Sequence, residues 1–366
     1  MSDSRPFFKT PFLRRRDFLR SLLVSPALVP CTQSALLART AKFLERGSAS
    51  KEPERGPLTA NADFFVRNHF ASPQMNADSW KLEITGLVSE PLHLSYSDLL
   101  LTTPVRLALT MECAGNLSGG KGVGNAMWSG VPLAALLKQA GIKSGASNVI
   151  LYGADSGKAE DLPAETNFAR AIPIDRAIRD STILAYEMNG SPLPADHGFP
   201  LRALVGGWYG MDSVKWLTRI EVSDQPFQGY FQQKHYVTKE KGGSGRPITG
   251  MLVNSKFLRP SPDEEIREKI YRAEGLAWAG EASILKVELR WGPAETWQSA
   301  TLDTNPAPYT WTRWSYDWQV PMPGKYTLEV RATDSNGNMQ PSARDSARED
   351  AYELNSSQHV NVIVGR

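Results

Sequence analysis

Three stretches in the last third of the chain alternate apolar and polar side chains, as strands do when one face lies in a core. They span residues 285–291, 311–318 and 326–332, and Gly, Pro and Asn residues separate them. Six of the ten tryptophans lie between positions 278 and 318, so this part has material for a large aromatic core. Strands of this kind pack as two antiparallel sheets. The sequence therefore predicts an Ig-like all-β sandwich over residues 246–366.

The residues before the sandwich mix strand and helix patterns. Residues 80–88 alternate at period two and end in a glycine turn, which predicts a half-buried strand. Residues 105–110 are rich in strand-forming side chains, so Cys113 is expected just beyond the end of a strand. A helix is predicted to begin beside a proline and to end at a glycine within 132–141. These patterns predict one α+β domain over residues 61–240.

The N-terminal residues have the pattern of an export signal. Three consecutive arginines at 14–16 precede Phe and Leu, a short apolar segment at 21–29 and an alanine-rich zone. This resembles a twin-arginine signal peptide over residues 1–41, which predicts a periplasmic protein that is exported already folded. The alternative is a disordered basic tail. Residues 42–60 are rich in Gly, Ser and Pro, and they are predicted to form a flexible linker.

Charge and composition exclude several classes of protein. The chain has 366 residues, of which 41% are hydrophobic and 22% charged, so it is neither disordered nor fibrous. No run of about 18 apolar residues predicts a membrane-spanning helix. The first 41 residues hold 7 of the 41 basic and 2 of the 39 acidic residues, which leaves 34 against 37, a net charge of −3. The sequence therefore predicts no nucleic-acid partner.

The chain has two cysteines, Cys31 and Cys113, and only one of them is expected in the exported protein. Cys31 lies in the predicted signal, so the exported chain is expected to retain Cys113 alone. Exported proteins normally pair their thiols. A solitary Cys113 is thus either an inert buried residue or a ligand that its metal protects.

Four clusters far apart in the sequence are dense in groups that could hold an anionic, metal-bearing cofactor. They are 64–69 (Phe-Phe-Val-Arg-Asn-His), 111–116 (Met-Glu-Cys-Ala-Gly-Asn), 196–202 (Asp-His-Gly-Phe-Pro-Leu-Arg) and 213–216 (Ser-Val-Lys-Trp). Together with motifs at 185–190 and 331–335, they resemble the sulfite oxidase family of molybdopterin enzymes. The resemblance covers nearly all of the chain after the predicted signal. It implies an α+β sulfite-oxidase-type molybdopterin-binding domain followed by an Ig-like dimerisation domain.

The resemblance also implies a cofactor and the residues that hold it. The cofactor is molybdenum-molybdopterin, and Cys113 takes the place of the single protein ligand of the metal, where a soft thiolate suits molybdenum. Guanidinium, ammonium, imidazole and amide groups suit the phosphate and the polar ring of the pterin. The residues implied for cofactor binding are Phe65, Arg67, Asn68, His69, Cys113, Asp155, His197, Arg202, Ser213, Val214 and Lys215.

On the substrate side, Arg67 and Tyr236 match the arginine and the tyrosine of the family's active site. The catalytic residues implied are therefore Cys113, Arg67 and Tyr236, although a surface aromatic is the competing interpretation of Tyr236. The sequence departs from the family after the Cys-Ala-Gly-Asn motif. Animal and plant enzymes have two arginines there, whereas this chain has Leu117 and Ser118. One substrate-side cation is missing, and Lys121 is a candidate replacement.

The function expected from this resemblance is that of a periplasmic oxidoreductase that transfers an oxygen atom to a small sulfur oxyanion, with sulfite to sulfate as the leading reaction. No Cys-x-x-Cys-His haem motif is present, so an external c-type cytochrome or haem subunit is the expected electron acceptor. A homodimer through the second domain is expected. The alternatives are a sulfane dehydrogenase subunit or a sulfoxide reductase with the same cofactor. A more remote one is an exported binding module whose first domain is inert.

Overall fold

The computed structural model describes residues 57–159, 164–241, 243, 245–303 and 307–366. The predicted signal peptide at 1–41 and the predicted linker up to residue 56 lie outside the described residues. The last residues of that predicted linker are bound to the fold. Thr59 N–H donates to the carbonyl of Asn125 at 2.7 Å, and the Pro57 carbonyl accepts from Trp311 Nε1 at 3.0 Å. Residues 57–60 therefore belong with the folded part rather than with a tether.

The first domain is built mainly of strands. Its described strands are β1 (Lys81–Gly86), β2 (Leu92–Ser95), β3 (Val105–Glu112), β4 (Val123–Pro132), β5 (Asn148–Lys158), β6 (Glu165–Pro173), β7 (Thr182–Met188), β8 (Ser191–Pro192), β9 (Arg202–Val205) and β10 (Leu217–Ser223). Its described α-helices are α1 (Tyr96–Leu101), α2 (Leu133–Ala140) and α3 (Ile174–Ala177). Short 3-10 turns lie at Ala195–His197 and Gly210–Asp212, and one π-helical turn lies at Phe231–His235.

These strands form two sheets. The first has the order β2-β1-β10-β5-β6, in which β1 and β10 are parallel and the other neighbours antiparallel. The second has the order β3-β4-β7-β8, and β9 pairs with β7. The hairpin of β3 and β4 opens at the pair Glu112 and Val123, and the loop between them begins with Cys113. Each of β3, β5, β6 and β9 contributes a residue to one cleft.

Local sequence signals explain the helix boundaries. In α1, Ser95 accepts from Asp98 N–H and the Asp98 carboxylate accepts from Ser95 N–H, a capping box that satisfies two free donors. In α2, Gly141 closes the helix in the left-handed region at φ 69°, and its N–H donates to the Leu137 carbonyl. The predicted strand at 80–88 and the helix within 132–141 are both confirmed. Within the described residues the helices are short, so the α+β prediction overstates the helical share.

The second domain is all β. Its described strands are β11 (Asn254–Arg259), β12 (Glu264–Ile266), β13 (Ile270–Trp278), β14 (Ile284–Arg290), β15 (Gln298–Ser299), β16 (Thr301–Leu302), β17 (Thr312–Gln319), β18 (Gly324–Asp334) and β19 (Gln358–Val364). One sheet has the order β11-β13-β17-β16 and the other β12-β19-β18-β14-β15. Trp314 and Trp318 are fully buried in the core of this domain, with Leu289, Leu328 and Val330. The all-β domain predicted from alternation is confirmed, and its Ig-like assignment stays a prediction.

An aromatic seam joins the two domains. Leu276, Trp278 and Trp311 belong to the second domain by sequence, but they pack in the hydrophobic core that contains Leu82 and Ile220 of the first. Burying side chains of this size contributes about 1.5–3 kcal/mol each. The first domain therefore completes its core with residues from the second.

Residues 341–357, here called the C-terminal strap, connect β18 to β19 by way of the first domain. Glu349 N–H donates to the Lys239 carbonyl at 2.7 Å, and Glu353 N–H donates to the Ala114 carbonyl at 2.9 Å. Ser118 Oγ donates to the Ser356 carbonyl at 2.8 Å. The strap thus lies against the loop that carries Cys113. In the described part of the chain, no helix has the length and apolar character needed to cross a bilayer.

Candidate active site

A cleft of about 640 Å³, its open mouth included, gathers the motifs found in the sequence. Eleven of the twelve predicted site residues line it: Phe65, Arg67, Asn68, His69, Cys113, Asp155, His197, Arg202, Ser213, Lys215 and Tyr236. Val214 is not among the lining residues. Its side chain is buried in the core, and its carbonyl accepts from Ala203 N–H at 2.8 Å. Segments far apart in sequence therefore meet in one place.

Cys113 is held at the start of a tight loop. Its N–H donates to the Gly122 carbonyl and its carbonyl accepts from Asn116 N–H, both at 2.8 Å. Burial raises the pKa of the thiol above its ordinary value, while a hydrogen bond from the Gly115 backbone and the charge of Arg67 act in the opposite direction. The thiol is therefore neutral near pH 7. A metal that binds there displaces its proton.

Arg202 is a buried cation with no carboxylate beside it among the described residues. Its Nη1 donates to the His197 carbonyl at 3.2 Å, and its Nη2 donates to the Ser213 carbonyl at 3.1 Å and to Met111 Sδ at 3.4 Å. Its Nε is buried and has no described partner. Burial lowers the pKa of Arg202 to about 9. The Arg202 guanidinium carbon also lies 5.4 Å from the Trp128 ring centroid. A buried guanidinium with no carboxylate partner among the described residues calls for an anion in the cleft.

Lys215 and Asp155 add a second charged region. The Lys215 ammonium donates to Asn68 Oδ1 and, at 2.8 Å, to the Asp196 carbonyl, and it lies 4.3 Å from the Trp216 ring centroid. Burial lowers the pKa of Lys215 to about 7. Burial also raises the pKa of Asp155 to about 6, against the charge of Lys215, and Asp155 Oδ1 has no described hydrogen-bond partner. Asp155 Oδ1 and the third ammonium proton of Lys215 can therefore pair with a polar ligand.

Two histidines take up different positions. His197 Nε2 lies 3.1 Å from the Asn61 carbonyl, and its ring packs edge-on against Phe64. His69 Nε2 lies 2.7 Å from the Tyr236 hydroxyl, and its ring stacks on Phe168 at 5.2 Å. Burial lowers the pKa of His69 to about 3, and the charges of His235, Arg67, Lys215 and Arg170 act in the same direction. His69 is therefore a neutral imidazole in the physiological range.

Tyr236 is buried rather than a surface aromatic, with 5% of its side chain exposed. Burial raises the pKa of its phenol, so the hydroxyl keeps its proton. Arg67 is exposed at the mouth of the cleft, where its guanidinium forms no hydrogen bond or ion pair with a described residue. Lys121, the candidate replacement for the missing arginine, is exposed and does not line the cleft. Arg67 is thus the free cation that the described cleft offers to a substrate.

Sequence reasoning assigned no site role to several lining residues, although two of them, Met111 and Trp216, lie within the motifs that it named. Met111, Phe168 and Trp216 line the cleft, and Met111 lies two positions before Cys113 on β3, so the period of a strand could have indicated it. It also assigned no role to Glu112, a buried residue of the same motif next to the thiol. Burial raises the pKa of Glu112 to about 7, against hydrogen bonds from Asn116, Trp278 and Asn254.

The residues present fit an anionic pterin that carries a thiophilic metal. Arg202 Nε and Asp155 Oδ1 are buried and lack described partners, which is expected where a polar group would lie. One thiol is available as a ligand. Burial lowers the pKa values of Arg202 and Lys215, and a phosphate beside them would favour their charged forms and be neutralised by them. The described residues contain no cluster of three or more His, Cys, Asp or Glu side chains that could hold a metal ion.

Comparison with known protein families identifies both domains. Residues 69–231 match the family described as the oxidoreductase molybdopterin binding domain. Residues 246–359 match the family described as the Mo-co oxidoreductase dimerisation domain. The first match contains most of the cleft residues, and the second begins where the sandwich was predicted to begin.

Individual relatives agree with these matches. Nitrate reductase (NADH) 1 of Arabidopsis thaliana is 33% identical over 84% of this chain and 39% of its own length. Mitochondrial sulfite oxidase of Homo sapiens is 30% identical over 78% of this chain and 57% of its own length. The chain thus spans roughly two fifths to three fifths of these curated relatives. The crystal structure of the sulfane dehydrogenase SoxCD from Paracoccus pantotrophus has a TM-score of 0.74 at 27% identity, and the match covers 85% of this chain and 81% of that one.

The cleft, its thiol and its uncompensated cations therefore lie in a molybdopterin-binding domain that a molybdenum-cofactor dimerisation domain follows, and the chain belongs to the sulfite oxidase family of molybdopterin-dependent oxidoreductases.

Proposed function

We propose that this protein is a periplasmic oxidoreductase that adds an oxygen atom to a small sulfur oxyanion, with sulfite as the leading substrate. The overall reaction takes sulfite and water to sulfate, two protons and two electrons. The electrons pass to an external c-type cytochrome or haem subunit. The protein acts as a homodimer through its second domain. The observation that carries the proposal is that one cleft holds both the thiol of Cys113 and a buried Arg202 guanidinium, which has no carboxylate partner among the described residues.

The chain's own groups would hold the cofactor in a defined way. Cys113 would bind the metal through its thiolate, and Arg202 and Lys215 would neutralise the phosphate of the pterin. Asp155, Asn68 and the histidines would meet the polar ring. When bound, the molybdenum-molybdopterin group supplies two-electron oxygen-atom transfer.

The substrate side of the cleft would orient an anion. The free guanidinium of Arg67 attracts it and fixes its oxygens, and in the tautomer with a proton on Nε2, His69 donates to the Tyr236 oxygen. The Tyr236 O–H is then free to donate into the cleft. Phe168 and Phe231 surround His69, with ring centroids at 5.2 and 4.6 Å, and they exclude water from this side. Such preorganised donors lower the cost of placing a small anion at a reactive group.

The test is a steady-state assay of the full chain, produced in cells that assemble the pterin, with sulfite and ferricyanide. We expect turnover and molybdenum near one per chain. Arg67→Met should raise KM for sulfite at least about tenfold, as loss of a charge-assisted contact does. Lys121→Met removes an exposed cation outside the cleft, and it should change KM less than about twofold. No turnover from a molybdenum-loaded sample, or equal effects of the two variants, refutes the proposal.

A second candidate is the dehydrogenation of a sulfane sulfur. The similarity to the SoxCD structure favours this candidate. Arg67 is the cation that the described part of the cleft offers to a substrate, and a sulfane sulfur needs less positive charge around it than the sulfite dianion does. Thiosulfate, a protein-bound sulfane, a sulfoxide and nitrate, the last two with a reduced dye, complete the substrate panel. Preference for a sulfane over sulfite would select this candidate. A sample free of molybdenum would instead favour an exported binding module.

A further inference from the structure

We infer that the second domain positions the thiol-bearing loop of the first, and that Glu112 is the positioning residue through which it acts. The inference rests on the proposed role of Cys113 as the metal ligand. The second domain would then help to shape the active site, in addition to the dimerisation that its family description names.

Glu112 is a buried carboxylate whose neighbours come from both domains. Its Oε2 accepts from Trp278 Nε1 at 2.8 Å, and its Oε1 accepts from Asn254 Nδ2 at 3.1 Å. These two donors lie on β13 and β11 of the second domain. The third donor, Asn116 Nδ2 at 2.9 Å, belongs to the loop after Cys113. One side chain therefore ties the second domain to both ends of the Cys113–Asn116 turn.

The three donors that face Glu112 are oriented by their own hydrogen-bond partners or chemistry. Glu112 can therefore only accept hydrogen bonds from them. Asn116 Oδ1 accepts from Gly122 N–H at 2.8 Å, which turns its amide nitrogen toward Glu112. Asn254 Oδ1 accepts from Gln340 Nε2 at 3.1 Å and from Ser255 N–H at 2.9 Å, with the same result. The Trp278 indole can only donate. An amide at position 112 would place a donor opposite a donor.

The loop between β3 and β4 is rich in glycine, and Asn116 packs inside it. Cys113 N–H pairs with the Gly122 carbonyl, and the residues between include Gly115, Gly119, Gly120 and Gly122. A Cβ on Gly120 or Gly122 would lie 2.5 or 2.9 Å from Asn116 Oδ1, so Asn116 packs where those side chains would be. The asparagine that Glu112 holds therefore supports the whole turn.

The strap holds the same turn from its other side. Glu353 N–H donates to the Ala114 carbonyl at 2.9 Å, and the Glu353 carboxylate accepts from Arg246 at 2.9 and 3.2 Å and from Arg348 at 2.9 Å. Tyr352 packs on Tyr236 with ring centroids 5.3 Å apart. The second domain thus contacts the residues directly before and after Cys113, which is the placement that positioning of its thiol requires.

The test removes the hydrogen bond from Trp278 to Glu112 and compares it with a control substitution that changes the side-chain volume by the same amount. Trp278→Phe deletes the donor to Glu112. Trp314→Phe is the control, because Trp314 is equally buried in the second domain and its Nε1 has no described partner. Glu112→Gln is the second variant, since it keeps the size of the side chain and reverses part of its polarity. All are made in the full chain with Cys31→Ser, so that Cys113 is its single thiol.

Two readouts report the thiol itself. The first is the rate of alkylation of Cys113 by iodoacetamide in protein made without the pterin, and the second is the visible thiolate-to-metal absorption of the molybdenum-loaded form. We expect Trp278→Phe and Glu112→Gln to be alkylated about fivefold faster than Trp314→Phe, as loss of one buried hydrogen bond allows. We also expect their absorption to shift while that of Trp314→Phe stays at the parent position.

The outcomes separate the two claims. Equal alkylation rates and equal absorption for Trp278→Phe and Trp314→Phe overturn the positioning role. If Trp278→Phe does not fold, Glu112→Gln decides by the same two readouts. A parent protein that binds no molybdenum refutes the proposed function, whereas the alkylation rates of the metal-free proteins still decide whether Glu112 positions the thiol.

Discussion

The buried ion pair of Arg170 and Asp212 supports the cleft from behind Tyr236, and breaking it should destabilise the fold. Arg170 Nε lies 2.7 Å from Asp212 Oδ1, and both side chains have 0% of their surface exposed. The other guanidinium nitrogens donate to the carbonyls of Phe231 and, at 3.2 Å, Ile248. The Arg170 guanidinium carbon also lies 5.5 Å from the Tyr236 ring centroid. One charge therefore anchors β6, a 3-10 turn and the π-helical turn before Tyr236.

The substitution Asp212→Asn removes the negative charge and keeps the shape. Removing one partner of a buried pair costs about 3–5 kcal/mol, because the other charge stays in a medium that solvates it poorly. The amide oxygen of the substituted side chain can still accept from Arg170 Nε, so the expected loss in free energy of unfolding lies at the lower end, about 3 kcal/mol. That loss raises the unfolded-to-folded ratio about 150-fold.

The measurement is urea unfolding of the parent and variant proteins at pH 7, followed by tryptophan fluorescence. Asp317→Asn is the matched control, because the Arg272–Asp317 pair has a similar separation of 3.1 Å but side chains 55% and 59% exposed. The control should leave the free energy of unfolding close to that of the parent. If Asp212→Asn also loses less than about 1 kcal/mol, the reasoning that burial makes this pair essential is wrong.

Two other predictions concern the cleft. Cys113→Ser should abolish turnover, because an alkoxide does not reproduce the electron donation of a thiolate, and near-normal activity in a sample of measured molybdenum content would contradict the ligand assignment. His69, with its pKa lowered to about 3, stays neutral while the unfolded chain takes up a proton below pH 6.5, so it makes the metal-free protein lose stability as the pH falls from 6.5 toward 3. His69→Gln should therefore lose less stability than the parent between pH 6.5 and pH 4. Urea midpoints across this range check this, and parallel curves for the two proteins would contradict the assignment.

Much of the fold could be predicted because burial and periodicity agree along the strands. In β1 the residues at positions 82 and 84 are fully buried between exposed or partly exposed neighbours, which is the alternation that the sequence shows. The central strands were harder. In β7 every residue is buried, so the sequence has no alternation there, and short helices such as α3 leave too few turns for a period to appear.

Most of the cleft could also be predicted, because its charged and sulfur-bearing residues occur in motifs that the family shares. The supporting residues could not. Glu112 and Trp278 are 166 positions apart, and their hydrogen bond follows from how two domains pack. Asp212 lies in a short turn, where aspartate is frequent for local reasons, and nothing near it in sequence indicates Arg170 as its partner. The Lys121 hypothesis failed to gain support because its side chain lies outside the lining of the cleft.

The aromatic seam of Leu276, Trp278 and Trp311 also has an evolutionary consequence. A hybrid that joins the first half of one relative to the second half of another would mismatch large rings in the middle of a packed interior, at a cost of several kcal/mol. We therefore expect such halves to diverge together, with substitutions on one side of the seam accompanied by compensating substitutions on the other. Recombination within the family is expected to keep the two domains of one parent together.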